Sequence, residues 1–176
     1  MKKLTILFII ISLSALSLVG CWDNVDIEDL HIVTGIALDV SLEKEGEMDI
    51  SLQIANTQSG GASSSESSNA SESKPLVLKD TSRTITAAIK KINRETSRTI
   101  FFHHLQVIVI SLELAKKDVN EYIDYFLRDN QARLETPIYL VDGRAEDVLT
   151  AELSQEKMTS LFLANSFNKG GKIRNR

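Results

Sequence analysis

Apolar and polar side chains alternate along the first folded part of the chain. In the stretch 30–40 every second residue falls on one face, and smaller residues occupy the other. The charged, glycine-containing stretch 43–47 predicts a turn, and residues 48–55 alternate again. The sequence therefore predicts a hairpin of two antiparallel strands, with one buried face and one solvated face.

The middle of the sequence predicts a strand, a helix and another strand. Residues 76–78 predict a short strand, and a helix is expected after it with its N-cap at Asp80, Thr81 or Ser82. Apolar side chains recur in this helix at spacings of three and four residues, at Ile85, Ala88, Ile89 and Ile92. The stretch 99–111 is predicted as one strand, whose apolar run 107–110 indicates a place inside the sheet.

Helix and strand alternate again in the last third of the sequence. Asp118 and Glu121 have the spacing of a capping box and predict the start of a second helix. Its inward residues are expected to be Val119, Tyr122, Ile123, Phe126 and Leu127. A strand at 138–141 and a third helix at 145–153, continuing weakly to Phe167, complete the domain. The order predicts an α+β or mixed α/β fold, in which about three helices pack on one mostly antiparallel or mixed sheet.

Two segments are predicted to lie outside the packed part of this domain, which spans residues 30–168. The stretch 57–74 is rich in serine and has no large apolar side chain, so we expect a flexible, disordered loop. The tail 169–176 carries four basic side chains, Lys169, Lys172, Arg174 and Arg176. We expect it to be a solvated end, and contact with anionic lipid headgroups is the alternative.

The N-terminus has the three parts of a bacterial lipoprotein signal peptide. Lys2 and Lys3 precede an uncharged run, 4–19, and small Gly20 lies before Cys21. This pattern predicts a signal peptide at 1–20, cleavage between Gly20 and Cys21, and a diacylglyceryl group on the Cys21 thiol. A tether at 21–29 follows it. The alternative is an uncleaved membrane anchor, since residues 4–22 form a helix of about 28 Å, close to the thickness of a bilayer core.

Charge, cysteine content and motifs limit the classes of function that the sequence allows. The formal net charge is −4, and −6 once the two lysines of the leader are removed, which argues against nucleic acid as a partner. Cys21 is the only cysteine, so the lipidated chain has no disulfide. The sequence contains no phosphate-binding loop, nucleophile elbow or paired metal motif. We therefore expect no catalytic residues, no metal and no cofactor, and classify the protein as a non-enzyme.

A few polar residues are candidates for a more specific role. His103 and His104 are adjacent on the predicted strand and so point to opposite faces, which disfavours a shared metal ion. For His104 we expect a structural hydrogen bond. Asp39 and Asp142 end strands and are expected to form turns, and a binding role is the alternative. A further group, Arg128, Asp129 and Arg133, is a candidate contact for a partner subunit, and a surface ion pair is the alternative.

Short motifs along most of the chain resemble one family. They begin with Gly20-Cys21-Trp22-Asp23 and Ile36-Ala37-Leu38-Asp39, and continue at Phe101-Phe102-His103-His104-Leu105 and Phe126-Leu127-Arg128-Asp129. Together they resemble the Ger(x)C family, the lipoprotein C subunits of spore germinant receptors. Two features differ: Ser82-Arg83 stands where the family has a glycine, and family members are longer, so the chain resembles a truncated form with the N-terminal domain alone.

The resemblance implies a receptor subunit without catalysis. Family members lie on the outer face of the bacterial cytoplasmic membrane, which in spores is the inner spore membrane. There they accompany a membrane-spanning A subunit and a transporter-like B subunit, and the assembly senses nutrients. The expected function is therefore receptor assembly and signalling in germination. A ligand-binding lipoprotein of a transport system is the alternative, and an enzyme is the third possibility.

Overall fold

A mixed β-sheet forms the centre of the computed structural model, which describes residues 3–6, 8, 26–55, 75–128, 133, 135–151, 153 and 158–174. Its strands are β1 (Leu30–Val40), β2 (Met48–Ile54), β3 (Leu76–Ser82), β4 (Thr99–Phe101), β5 (Val107–Ser111) and β6 (Ile138–Val141). The helices that pack on it are α1 (Ile85–Glu95), α2 (Leu112–Arg128), α3 (Ala145–Thr150) and α4 (Thr159–Arg174). A short 3-10 turn, Ile27–Asp29, precedes β1, and residues 3–6 and 8 are helical.

The strands are ordered β3-β2-β1-β5-β6 across the sheet. β1 pairs antiparallel with β2, with Val33 opposite Ile54 and Val40 opposite Met48, and so forms the predicted hairpin. β2 and β3 are also antiparallel, whereas β1, β5 and β6 are parallel to one another. β4 lies off this path and pairs in parallel with the first residues of β1. The prediction of an α+β fold around one mixed sheet is confirmed.

One face of the sheet is covered by α1 and α2. Long aliphatic side chains of the central strands, such as Ile36, Leu38 and Ile110, form a single buried cluster with these two helices. Helix α1 contributes the four apolar residues expected from its periodicity, Ile85, Ala88, Ile89 and Ile92. Because these side chains recur at spacings of three and four, they form one stripe that the sheet removes from water.

The opposite face is buried too, which corrects the prediction of a solvated face. Ala37 of β1 and Val107 and Val109 of β5 pack against Ala145 and Leu149 of α3. Helix α4 lies beside α3 and contacts β1 and β5. Both faces of the strand are therefore buried. The alternation marks a face of large side chains and a face of small ones, not a buried face and a solvated one.

All buried side chains of the described residues lie between Val33 and Ala164. Residues 3–6 and 8, the part of the leader that the structure describes, contribute nothing to this set. Among the described residues no helix is both long and apolar enough to cross a bilayer. Residues 9–25, which include most of the alternative anchor, lie outside the described part of the chain, as does the predicted loop 57–74.

β3 is longer than predicted because its polar end pairs with β2. Asp80 and Thr81 have partners in β2, and the strand continues to Ser82. Helix α1 begins only after Thr84, whose Oγ1 accepts a hydrogen bond from the main-chain nitrogen of Ala87 at 3.2 Å. The predicted N-cap at Asp80, Thr81 or Ser82 is therefore wrong.

β4 and β5 replace the single strand predicted at 99–111. Both pair with β1 in parallel, but a turn at 102–106 separates them. Within the turn the main-chain nitrogen of Leu105 donates to the carbonyl of Phe102 at 2.9 Å, and both side chains are buried. The interruption thus places two more apolar side chains in the core. The interior position predicted for 107–110 is confirmed, since all four residues are buried.

Helix α2 begins at Leu112, ahead of the predicted start at Asp118. The hydroxyl of Ser111 accepts a hydrogen bond from the main-chain nitrogen of Leu114 at 3.4 Å, and the Leu114 side chain is buried. The serine at the end of β5 therefore satisfies a first-turn amide, as an N-cap does. The capping-box spacing at Asp118 falls inside the helix and marks no boundary.

The predicted inward stripe of α2 is correct only in part. Tyr122 and Phe126 are buried, and Val119 packs against the same cluster. Ile123 is half-buried, whereas Leu127 is 59% exposed and does not belong to the core. The buried stripe is therefore narrower than the apolar pattern predicts.

Two helices stand where one continuous helix was expected near the C-terminus. α3 ends at Thr150, and α4 begins at Thr159, whose Oγ1 donates to the carbonyl of Ala151 at 2.9 Å. The backbone of α4 continues to Arg174, so most of the predicted basic tail 169–176 is helical. Residues 175–176 lie outside the described part of the chain.

Candidate functional site

A carboxylate from the central strand holds the N-terminus of α3. Asp39 Oδ1 accepts a hydrogen bond from the main-chain nitrogen of Ala145 at 2.7 Å, and Oδ2 accepts one from that of Glu146 at 2.9 Å. Arg144 occupies the N-cap position, and its side chain makes no capping hydrogen bond. A buried carboxylate suits this place because the helix dipole presents positive charge there. Asp39 is therefore a cap supplied from a distant strand, and its predicted role as a turn former is wrong.

Charged side chains surround this junction on its solvent side. Arg144 Nη2 lies 3.0 Å from Glu146 Oε2 and 3.4 Å from Asp49 Oδ2, and Lys79 pairs with the same glutamate. The hydrogen bond from Lys79 lowers the pKa of Glu146, and the hydrogen bond from Arg144 lowers it further. Burial alone would raise this pKa, but the two hydrogen bonds outweigh it. The group lines a cleft of about 320 Å³. Since its charges pair with one another, it fastens α3 to β2 and β3.

A buried polar network fixes α3 and α4 to the sheet. Gln53 is fully buried, and its Nε2 donates to the carbonyl of Leu149 at 2.8 Å. Its Oε1 accepts a hydrogen bond from the main-chain nitrogen of Ser160 at 3.2 Å. The Ser160 hydroxyl in turn donates to Thr34 Oγ1 at 3.0 Å. One side chain thus satisfies a carbonyl of α3 and an amide of α4, which otherwise have no intrahelical partner.

The close approach of these helices depends on a small residue in β1. A Cβ atom added to Gly35 would lie 3.0 Å from Leu149 Cδ2 and 3.0 Å from Ser160 Cβ. These distances are shorter than ordinary contact, so a larger residue would push both helices away from the sheet. Gly35 and Ala37 face the same side. Two small residues on one strand face were the available sequence signal for closely packed helices.

A second cleft, of about 480 Å³, lies between α1 and α2. It is lined by Met48, Thr84, Ile85, Thr86, Glu121, Tyr122, Asp124, Tyr125 and Arg128. Its wall includes two acids and one arginine besides the aromatic rings. Arg128 is largely exposed, and its Nε lies 2.7 Å from Asp124 Oδ2, one helical turn earlier. The cleft thus includes Arg128, a residue predicted to contact a partner, in its wall.

The structure separates the predicted partner residues. Arg128 ends α2, whereas Arg133 is exposed in the connection to β6, where its carbonyl accepts a hydrogen bond from Thr136 at 3.1 Å. Asp129 lies outside the described residues, as do Gly20 and Cys21. The partner contact and the lipidation site therefore stay predictions.

The two adjacent histidines lie in the turn between β4 and β5. Both are exposed, and the ring of His103 stacks on that of Phe101 with centroids 4.4 Å apart. The His104 ring is tilted against the same phenylalanine at 6.4 Å, and its carbonyl, rather than its ring, accepts a hydrogen bond from Gln106. Both rings thus contact one side chain, in contrast to the opposite faces expected from a strand. No cluster of three metal-ligating side chains occurs among the described residues.

Two further titratable groups have shifted pKa values. Burial, with a smaller effect from the nearby Arg98 charge, lowers the pKa of His31. The His31 Nδ1 is buried and has no hydrogen-bond partner among the described residues. Burial alone would raise the pKa of Asp80, but hydrogen bonds from Lys91 and Ser82 outweigh it, and the pKa lies below its ordinary value. The lowered pKa of Asp80 stabilises the fold near neutral pH, whereas the lowered pKa of His31 means that the fold disfavours its protonated form.

Comparison with known proteins identifies relatives of this chain. It is 29% identical to spore germination protein KC of Bacillus subtilis (strain 168) over 96% of this chain and 40% of that protein. It is 28% identical to spore germination protein B3 of the same organism, over 98% of the chain and 44% of the relative. Spore germination protein YndF of that organism is 25% identical over 80% of this chain and 40% of the relative. The chain thus spans about two fifths of the length of these relatives. No solved structure matches it.

A family model covers almost all of the folded part. The model for the spore germination protein N-terminal domain matches residues 23–175, from just after Cys21 to the end of α4. The match includes the sheet and all four packing helices. It confirms the resemblance drawn from the short motifs. The chain therefore belongs to the family of spore germination protein N-terminal domains.

Proposed function

We propose that this chain is the lipid-anchored C subunit of a nutrient germinant receptor. In this role it contributes to the assembly and signalling of the receptor at the outer face of the membrane, beside A and B subunits. The observation that carries the proposal is the family match, which begins two residues after Cys21. A folded domain that starts directly behind a lipidation motif is placed at the membrane surface by a short tether.

The interior of the domain supports a binding role rather than catalysis. Two of the polar side chains that it buries, Asp39 and Gln53, are occupied by helix amides and carbonyls. A general base or nucleophile needs a polar group that faces a cleft and is free to react. The outer surface, in contrast, offers a cleft of about 480 Å³ that ends at Arg128. Contact with other subunits is the function this arrangement suits.

Anchoring is tested by metabolic labelling with a radioactive fatty acid. Because Cys21 is the only cysteine, a thioether-linked lipid has a single possible site. We expect the wild-type chain to be labelled, and Cys21→Ala to be unlabelled and to accumulate as the precursor. Ser17→Ala, a change within the same leader, is the matched control and should be labelled and cleaved. Continued labelling of the Cys21→Ala chain would refute the anchor.

Subunit contact is tested by co-purification from spore membranes. We expect the double variant Arg128→Ala, Arg133→Ala to recover less of the A and B subunits than wild type. Arg94→Ala, an exposed arginine at the end of α1, is the control and should recover both. The fold should tolerate all three changes, since exposed ion pairs contribute at most about 1 kcal/mol. Equal recovery of the A and B subunits by the double variant and the control would exclude the predicted contact residues.

The cleft between α1 and α2 is the one observation that favours the alternative, a ligand-binding lipoprotein of a transport system. Its volume of about 480 Å³ falls within the usual range of small-molecule sites, and charged and aromatic residues line it. Saturable binding of a free amino acid or a monosaccharide to the isolated chain, lost in Tyr125→Ala, would favour that function. Binding only within the assembled receptor would favour the C subunit.

A further inference from the structure

β6 is the last strand on its side of the described sheet, and its outer edge pairs with no other described strand. The strand order β3-β2-β1-β5-β6 leaves it with one neighbour. The main-chain nitrogen of Ile108 in β5 donates to the carbonyl of Pro137 at 3.0 Å, and Ile108 lies opposite Ile138. Main-chain bonds alternate along a parallel pair, so Tyr139 bonds to β5, whereas the main-chain groups of Ile138 and Leu140 point to the free edge.

The side chains at this edge are apolar and exposed. Ile138 and Leu140, on the sheet face that α1 and α2 cover, are 40% and 53% exposed. Helix α2 contacts β6, yet Leu127 near the end of α2 is 59% exposed. The opposite edge strand, β3, carries the exposed charge of Lys79, which disfavours pairing with another chain. β6 has no charged residue from Ile138 to Val141 and so lacks this protection.

Helix α4 crosses the other face of the sheet towards the same edge. The Ser160 hydroxyl donates to Thr34 Oγ1 of β1. One turn later, the carbonyl of Leu163 accepts a hydrogen bond from the Tyr139 hydroxyl of β6 at 3.0 Å. Phe167 follows Leu163 by four residues and shares its side of the helix, yet Phe167 is 55% exposed. An exposed ring therefore lies past the hydrogen bond between α4 and β6, on the sheet-facing side of the helix.

An added strand suits this arrangement. A strand beside β6 would lie about 4.8 Å from it and would bond to the outward main-chain groups of Ile138 and Leu140. Its side chains would alternate between the sheet face of Leu127 and the sheet face of Phe167. The free edge of β6 is therefore suited to an extended polypeptide segment with apolar side chains.

The size of the surface indicates a contact between domains. Four exposed side chains form it: Leu127, Ile138, Leu140 and Phe167. At about 175 Å² for a large side chain, they present roughly 350 Å², and a matching partner surface brings the buried area to about 700 Å². Contacts between domains of one protein start at about 600 Å², whereas a specific complex of separate proteins buries at least about 1,000 Å². A second copy of the chain is therefore the less suitable occupant.

The relatives indicate where such a domain would come from. The chain covers 40% of spore germination protein KC and 44% of spore germination protein B3. The matched part is an N-terminal domain, so more than half of each relative lies outside it. The match ends at residue 175, just after α4, and α4 is directed towards the free edge of β6. The polypeptide that follows in the relatives thus begins on that side of the sheet.

We propose that the free edge of β6 is the docking surface for the C-terminal region of this protein family. That region adds an extended strand beside β6 and packs against Phe167. The inference rests on membership of the family and is independent of the lipid anchor. A strand added to the sheet fixes the orientation of the second domain, which a flexible connection alone does not.

Amide hydrogen exchange of a hybrid protein tests the docking. The hybrid joins residues 22–176 to the part of spore germination protein KC that follows the match. Residues 22–176 alone are the reference, since every buried side chain that the structure describes lies between Val33 and Ala164. In the hybrid, exchange at the amides of Ile138 and Leu140 should be slower by at least about tenfold, because the added strand accepts hydrogen bonds from them.

Two lysine substitutions on opposite edges of the sheet separate docking from general effects. Leu140→Lys in the hybrid places a charge on the free edge of β6 and should return exchange at Ile138 to the rate of the reference. Leu76→Lys, on the edge strand β3, is the matched control and should keep the slow exchange. Leu76 is 47% exposed and Leu140 53%, so the fold should tolerate both changes.

Three results would overturn the proposal. Unchanged exchange at Ile138 and Leu140 in the hybrid would show that no strand is added. Equally slow exchange in the Leu140→Lys and Leu76→Lys hybrids would place the contact elsewhere. Exchange at Ile138 that slows with rising concentration of residues 22–176 alone would identify a second copy as the occupant. None of these results affects fatty-acid labelling of Cys21, so the proposed function is tested separately.

Discussion

Gln53 is the residue whose replacement tests the packing of this domain most sharply. Its amide joins β2 to both helices of the second sheet face, through the carbonyl of Leu149 and the main-chain nitrogen of Ser160. The change Gln53→Met keeps the length of the side chain but removes both hydrogen bonds. It therefore leaves a buried carbonyl and a buried amide without partners while adding little strain.

The expected cost follows from these two groups. A buried polar group left without a hydrogen bond costs about 1–3 kcal/mol, and the greater hydrophobicity of methionine returns about 1 kcal/mol. With two such groups, we therefore expect Gln53→Met to lower the free energy of unfolding by about 1–5 kcal/mol. Domains of this size are stable by about 5–15 kcal/mol, so the loss is large but the fold should survive.

The assay is urea unfolding of the chain from residue 22, followed by circular dichroism. The midpoint should fall at an unchanged slope, because the variant exposes the same surface on unfolding. Amide exchange at Ser160 should become faster. Gln106→Met is the matched control, since within the described part of the chain its side-chain amide bonds only to the exposed carbonyl of His104, and we expect a change within about 0.5 kcal/mol. Equal stability of the Gln53 variant and the control would refute the role of the network.

Three further predictions concern residues of β1. Asp39→Ala should lower the free energy of unfolding by about 2 kcal/mol, measured by urea unfolding, because two amides of α3 lose their cap. Gly35→Ala should lower it by about 1–3 kcal/mol, because the new methyl group meets Leu149 at 3.0 Å. The pKa of His31 is lowered in the folded state, so below its ordinary value of 6.5 the unfolded chain binds the proton first and stability falls as the pH falls. The melting temperature, measured by thermal unfolding, should therefore fall more steeply between pH 7 and pH 5 for wild type than for His31→Gln. An equal fall in the two proteins would contradict this.

The sequence predicts the hairpin and the central parallel strand well, because both depend on local patterns. In β1 and β2 the side chains alternate with period two, and the turn at Gly46 supplies the positive φ of 78° that a glycine permits. In β5 four successive apolar residues indicate burial on both faces. The buried apolar stripe of α1 is also predicted directly, from the spacing of three and four residues between its apolar side chains. These features need no knowledge of what packs against them.

Boundaries and the second buried face were missed because they depend on distant residues. The end of β3 looks like a helix start, but pairing with β2 keeps Asp80 in the strand. Gln53 and Ser51 look like a solvated face until α3 and α4 cover them. Asp39 looks like a turn residue, and its partners lie 106 and 107 residues later. No local sequence pattern predicts a hydrogen bond between residues so far apart in the chain.

Of the candidate functional residues, the sequence identified those with a chemical signature of their own. Cys21 stands out because the predicted lipidation motif is contiguous in the sequence, and Arg128 because it belongs to a stretch that resembles the family. The helical backbone of residues 169–174 was not expected, since the glycines and lysines there indicate a flexible tail. The contact of Ser160 with Thr34 and the exposure of residues 165–170 come only from the structure.

The germination response of spores tests the central claim, that the chain is a receptor subunit held at the membrane by Cys21. Spores deleted for this gene should fail to germinate with at least one nutrient, and the wild-type gene should restore the response. The Cys21→Ala gene should restore it poorly, while Ser17→Ala should restore it fully. Normal germination of the deletion strain with every nutrient would contradict the account.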